Sequence, residues 1–383
     1  MKEISTVEEF VEWASGSPEC DPAAIQDLDL TSQVDLINSN SFSDSIFLSC
    51  NLGNVDAGRI VQTGGVVIPD LAGFRFSVHR KSLYSVGELF DGFDIGNPDG
   101  HKTTYDYQVY DEYVSQGKSP RLINTSLARR LHDHSITDAL EEELVGRKVV
   151  AVMGGHGMER QDDFYAKTAR VSRSLTRAGF LMVSGGGPGA MEATHIGAYF
   201  ASRADSDLDE AIEIIKKRPA DGEPGKEYAD KDWLHRAWTV MEKFPIPNGT
   251  QDACKSIGIP TWLYGHEPPA PFATHIAKYF ANSVREDGLL AIARHGVIFA
   301  PGSAGTTQEV FQDAAQNHYA NQGVYSPMIM FGEKHWTEVR PVWQLLSTVA
   351  RGKEYGELIA LTDSEDEIVR RICMFDPAIY SKK

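Results

Sequence analysis

The chain has 383 residues, 42% hydrophobic and 24% charged, the proportions of an ordinary soluble globular protein long enough for two domains. Its formal net charge of −17 excludes a nucleic-acid backbone or an anionic membrane as the expected main partner, but leaves room for a small anionic ligand that needs only local positive charge. Four scattered cysteines, an acidic N-terminus and the lack of a membrane-length apolar run predict a reduced, cytoplasmic protein without a structural metal.

Before Gly146 the segments are short and irregular. Residues 62–69 and 74–79 read as strands, Asp91-Gly92, Asn97-Pro98 and Asp99-Gly100 as turns, and about 126–144 as a helix. Residues 1–145 are therefore expected to be an appended α+β extension, a candidate regulatory region. His132 and His134 lack a third ligand at metal-site spacing and read as a polar cluster.

From Arg147 the alternation is regular. Residues 148–153 read as an apolar strand, followed by Gly154-Gly155-His156-Gly157. A helix over 162–178 places Ala166, Ala169, Leu175 and Ala178 at helical spacing, and residues 180–184 form the next strand. A polar stretch at 201–258 then interrupts the pattern and reads as an insertion or lid. Further strands are expected at 260–264, 296–300, 328–331 and 358–361, alternating with helices at 272–285, 306–319 and 335–350 and a last helix at the C-terminus. This order predicts an α/β fold with a doubly wound, mostly parallel sheet over 146–383. No internal repeat is evident.

Two segments carry the chemistry: Val183-Ser184-Gly185-Gly186-Gly187-Pro188-Gly189-Ala190-Met191-Glu192-Ala193 and Phe299-Ala300-Pro301-Gly302-Ser303-Ala304-Gly305-Thr306-Thr307-Gln308-Glu309. Each is a strand, a glycine-rich turn, and a helix start with a glutamate one turn in. Such turns let backbone approach a ligand and present helix N-terminal amides to an anion, so a phosphate-bearing ligand is expected. Gly185, Gly187 and Ala190 satisfy G-x-G-x-x-A, but the acid that should close the following strand is missing, since Asp205, Asp207 and Asp209 fall in the polar insertion. Gly117-Lys118-Ser119 fails as an ATP-type loop because Glu112 holds the leading glycine's place, and His101-Lys102 lacks the setting of a pyridoxal-phosphate lysine. Thr306 and Glu309 also have capping-box spacing, a purely structural alternative; Asp313 and Gln316 share the helical face beyond Glu309. His156 and Arg160 after one strand, and His266 and Glu267 after another, are pocket candidates. Arg170, Arg173 and Arg177 read as a solvated helix face.

Gly-Gly-Gly-Pro-Gly-x-Met-Glu-Ala followed by Pro-Gly-Gly-x-Gly-Thr-x-x-Glu resembles the paired signature of the LOG ("lonely guy") proteins, nucleoside 5′-monophosphate phosphoribohydrolases once labelled lysine decarboxylases. The resemblance spans about 146–350 and implies a Rossmann-like domain that hydrolyses the N-glycosidic bond of a nucleoside monophosphate, with no metal or other cofactor. It implies Gly186, Gly187 and Gly189 in the first turn and Gly302, Ser303, Gly305 and Thr306 around the phosphate. Glu309 is the implied catalytic carboxylate, with Arg285 stabilising charge and Glu192 touching the ribose. Ser303 departs from the family, standing where a second glycine is usual. The resemblance also implies a homodimer or larger even oligomer. The competing expectation is a non-catalytic carrier of a nucleotide-like ligand, as LOG-like folds also carry molybdenum cofactor.

Overall fold

The computed structural model describes residues 2–53, 57–97, 99–216, 226–230, 232–265 and 267–382. These fall into two compact units, Met1–Lys81 with Ser119–Ser135, and Ser82–Lys118 with Ile136–Lys383. The division replaces the boundary expected at 145: residues 82–118 and 136–145 belong to the larger unit.

The smaller unit is not the α+β arrangement expected. Its strands β1 (Lys2–Ile4), β2 (Ala23–Gln26), β3 (Ile46–Leu48) and β4 (Val66–Ile68) pair in parallel in the order β1-β2-β3-β4. Helices Val7–Gly16, Val34–Ser39 and Ala57–Gln62 connect them. Residue 2 pairs with 23, 24 with 46, and 46 with 66, so the strand–helix unit recurs every 20 to 22 residues. Ile25, Leu28 and Leu30 of one turn and Phe47, Cys50 and Leu52 of the next share one core. This solenoid-like period is the repeat that inspection of the sequence does not reveal, because its positions interchange Ile with Phe and Leu with Cys. Residues 74–79 form no strand.

The larger unit carries a seven-stranded sheet of β5 (Lys148–Met153), β6 (Phe180–Ser184), β7 (Ser256–Gly258), β8 (His275–Ile276), β9 (Val297–Phe299), β10 (Met328–Phe331) and β11 (Ile359–Thr362). The order is β11-β10-β9-β5-β6-β7-β8, and every pair is parallel. Its central strands read as unbroken apolar runs because helices cover both faces; Val149 to Met153 and Met328 to Phe331 are all buried. The chain builds outward from β5 through β8, then returns to the other side of β5 with β9. The carboxyl ends of β5 and β9 therefore flank the switch point at which open parallel sheets bind ligands.

Three expected elements differ. Residues 260–264 hold a 3-10 turn, Trp262–Tyr264, and the strand is the earlier β7, since Pro260 supplies no N–H for a ladder. Residues 272–285 contain β8, and the helix begins at Asn282 and runs to Ile292. The insertion at 201–258 holds helices Asp205–Ile215 and Asp232–Lys243, and Leu208, Ile212, Ala237 and Val240 join the main core. Burial makes most of it part of the domain body instead of a polar lid. Among the described residues no helix is long and apolar enough to cross a membrane.

Candidate functional site

At the switch point lies a cavity of about 470 Å³. Gly154 and Gly155 reach it from the end of β5, Gly186 and Gly187 from β6, Thr261 from β7, Lys278 from β8, and Ser303, Gly305 and Thr306 from β9. Both glycine turns thus open into one space. Backbone contact between the loops draws them together: Gly155 N–H donates to the Pro301 carbonyl at 3.1 Å and Ala190 N–H to the Gly155 carbonyl at 3.2 Å. Gly189, buried and off the cavity, has φ 73°, and a Cβ there would lie 2.3 Å from the Gly155 oxygen; only glycine fits.

The helix Ala304–Tyr319 points its N-terminus into the cavity. Its N-cap, Ser303, makes no side-chain cap bond, so the first-turn amides keep their capacity for an anion. Ser303 has φ −109°, outside the positive-φ region that favours glycine. A Cβ on Gly305 would meet nothing within 4 Å, whereas one on Gly302 would lie 2.2 Å from Thr306 Oγ1. Gly302 sits behind the lining, with His335 Nε2 3.2 Å from its nitrogen and 3.1 Å from its oxygen. That contact was not foreseen.

Glu309 lies one turn into the same helix and lines the cavity beside Arg285. The capping box does not form: the helix starts at Ala304, two residues before Thr306, and its N-cap is Ser303. Arg285 Nη1 stands 3.8 Å from Glu309 Oε1, with both side chains about one-seventh exposed or less. Arg285 Nε is buried without a hydrogen-bond partner, so the guanidinium is not fully committed to the protein. Burial pushes the Glu309 carboxyl up to about 7, against the opposing pull of Arg285 and with help from Glu286. A carboxyl that changes charge near neutrality, facing a cation across a cavity, suits charge development in a bound ligand.

Besides Gly189 and Gly302, the sequence-derived site residues Glu192 and Arg160 also lie off the cavity lining. Glu192 is fully buried and outside the cavity lining; Arg160 Nε and Nη2 donate to its two oxygens at 2.8 and 2.5 Å, and Tyr165 Oη donates at 2.9 Å. Off the cavity lining, Glu192 forms a buried ion pair instead of the ribose contact expected of it. Arg160 also donates from Nη1 to the Trp233 carbonyl and stacks 4.3 Å from that ring, fastening the insertion instead of lining the pocket. His156 does line the cavity, its ring 6.3 Å from that of Tyr228 in the turn Glu227–Ala229. Glu267 is there as well, while His266 lies outside the described residues. Arg173 is buried and pairs with Asp205 at 3.1 Å, contrary to the solvated face expected.

Sequence reasoning missed two supporting groups. His195 is fully buried; its Nε2 lies 3.0 Å from the Gly185 carbonyl and its Nδ1 3.0 Å from Ser256 Oγ. Burial lowers its pKa to about 4, so the neutral ring donates to Gly185 and accepts from Ser256, fixing the first turn. A histidine among small apolar residues on the helix Ala190–Tyr199 was the available signal. Lys278, 1% exposed, lines the cavity with its Nζ 2.5 Å from Asp106 Oδ1, which also accepts from Trp262 Nε1 at 3.1 Å. Asp106 comes from the helix Tyr105–Gln116, in the stretch first assigned to the extension. Among the described residues no cluster of three or more His, Cys, Asp or Glu side chains is placed to hold a metal.

No family model matches this chain, and no curated protein matches it. Solved structures similar to it include the molybdenum cofactor binding protein from the phototrophic bacterium Rippkaea orientalis (14% identity, 59% of this chain and 95% of that chain, TM-score 0.36). Another is the molybdenum cofactor carrier protein of Chlamydomonas reinhardtii (12% identity, 59% of this chain and 96% of that one, TM-score 0.33).

Proposed function

We propose that this chain is a LOG-type nucleoside 5′-monophosphate phosphoribohydrolase, releasing free base and ribose 5-phosphate. The observation that carries the reading is Glu309: its carboxyl, about 7 in pKa and 3.8 Å from Arg285, faces the cavity into which both glycine turns open. In this reading the amides at Ser303 to Thr306 hold the phosphate at the helix N-terminus. That places C1′ of the ribose over Glu309.

Cleavage of a ribosyl N-glycosidic bond develops positive charge on the sugar as the base departs with its electron pair. Ionised Glu309 stabilises that charge and orients the attacking water. Arg285 stabilises negative charge on the departing base or the phosphate. Neither Glu192 nor Arg160 has a part in the reaction; they hold the helix behind the first turn.

The test separates binding from turnover. Glu309→Gln keeps the shape and is expected to bind AMP with the wild-type dissociation constant while losing turnover by about a hundredfold or more. Equal turnover in the two proteins would overturn the assignment. A carrier that binds without hydrolysis would instead show binding in both and base release in neither.

A further inference from the structure

The wall of the cavity opposite the phosphate turn has a chemistry that the reaction does not use. Lys278 is buried against the cavity, and its Nζ makes one hydrogen bond among the described residues, to Asp106. An ammonium has three donors, so two remain. Thr261 lines the same cavity, and its Oγ1 is buried without a partner. The two residues stand on neighbouring strand ends, joined by the Thr261–Tyr279 bridge and the Tyr279 N–H to Pro260 carbonyl bond at 3.1 Å.

Their place in the sheet suits the far end of a nucleotide. Arg285 Nη2 lies 3.7 Å from where a Cβ on Gly185 would stand, which puts the sugar chemistry at the end of β6. Thr261 and Lys278 follow β7 and β8, one and two strand spacings away, roughly 5 and 10 Å. A base joined to that sugar extends along this line. A buried polar atom without a partner costs free energy until a ligand supplies one, and an ammonium offers only donors.

We infer that Lys278, with Thr261 beside it, selects nucleotides whose base presents a carbonyl oxygen on its outer edge, 6-oxopurines and 4-oxopyrimidines, over their amino counterparts. This rests on the reading of the chain as a binder of nucleoside monophosphates. A keto oxygen accepts from Lys278 and from the Thr261 hydroxyl. An amino group in its place sets donor against donor at Lys278 and leaves the ammonium unmatched, whereas the Thr261 hydroxyl can donate to the one or accept from the other. Asp106 positions the lysine and neutralises its charge in the empty site.

The experiment compares IMP with AMP and UMP with CMP, pairs that differ in this exocyclic group and in the proton on the ring nitrogen beside it, using the full chain. Wild type is expected to favour the keto member in kcat/KM by at least about tenfold. Two variants remove the wall. Thr261→Val keeps the side-chain shape, and Lys278→Met with Asp106→Asn removes both charges together so that no buried charge is orphaned. The double variant is expected to bring the ratio to within about threefold, whereas Thr261→Val, which removes a group able to pair with either base, is expected to lower kcat/KM for both members and keep the ratio near its wild-type value. Should the double variant not fold, Lys278→Gln decides, since its amide can donate or accept and is expected to bring the ratio to within about threefold. Equal use of both members by wild type, or an unaltered ratio in a folded Lys278 variant, overturns the inference. If no base is released from any nucleotide, the hydrolase reading fails. The same pairs are then compared by titration calorimetry, where a keto preference in Kd sustains the wall and equal or absent binding overturns it.

Discussion

Glu309 and Asp313 sit one turn apart on the helix Ala304–Tyr319, and burial raises both, to about 7 and about 8. Asp313 is 2% exposed with Oδ2 unpartnered and lies outside the cavity lining. An acid whose folded pKa exceeds its unfolded value holds its proton more tightly when folded. Its presence therefore lowers stability as pH rises through that interval. For Glu309 the loss runs from about 4.5 to about 7, and for Asp313 from about 3.8 to about 8. Asp313→Asn is expected to raise Tm at pH 8 and to change it little at pH 4, measured by thermal melts across that range. A Tm difference that does not grow with pH would contradict the burial argument. Glu309→Gln is expected to be more stable at pH 8 as well as about a hundredfold less active, the usual exchange at a site that holds a buried charge for function against the cost of desolvation that Arg285 only partly offsets. Since the ionised form is the reactive one, wild-type kcat/KM should rise with pH through about 7 and then level; a fall over that interval would make Glu309 a proton donor.

At the scale of elements, the two turns rely on glycine for different reasons. A Cβ on Gly189 runs into the Gly155 oxygen at a positive φ, so Gly189→Ala should cost about 1–3 kcal/mol of stability. Gly305 has open space where its Cβ would go. Gly305→Ala should therefore fold with an unchanged Tm and yet raise KM about tenfold by crowding the phosphate; an unchanged KM would place the anion elsewhere. Both turns were legible because strand, glycines and helix start adjoin in the chain. Glu309 and Arg285, singled out in the sequence by their place around the second turn, are brought 3.8 Å apart at the cavity by the fold. The role of Glu192 was misread: its position matches the motif, but its surroundings, Arg160 and Tyr165, come from residues about 30 positions away and are invisible to local pattern. The strand at β7 and the late start of the helix at Asn282 were misplaced for a related reason. Short apolar runs around Pro260 and Phe272 carry no period that separates strand from helix.

Across the whole molecule, the α/β class and the doubly wound sheet followed from strand–helix alternation, whereas the division of the chain did not. Composition shifts near Gly146, yet the larger unit recruits residues 82–118. The helix Tyr105–Gln116 places Asp106 under Lys278, and Tyr110 packs where a side chain on Gly265 would stand. Asp106→Ala leaves a buried ammonium unpaired and is expected to destabilise the protein by about 3–5 kcal/mol, seen in denaturant melts. A loss below about 1 kcal/mol, the range of exposed pairs, would show that the lysine is solvated. The 20-to-22-residue period of the smaller unit escaped notice because spacing survives there while residue identity does not.

The central claim is that Glu309 serves the hydrolysis of a ribosyl bond at the β5–β9 switch point. Its most direct test is product identification by liquid chromatography and mass spectrometry after incubating AMP, GMP, IMP, CMP and UMP with wild type and with Glu309→Gln. The account predicts free base and ribose 5-phosphate in equal amounts from wild type for at least one nucleotide, with one solvent oxygen in the sugar, and about a hundredfold less from the variant. Intact nucleotides throughout, or equal product from both proteins, would contradict it.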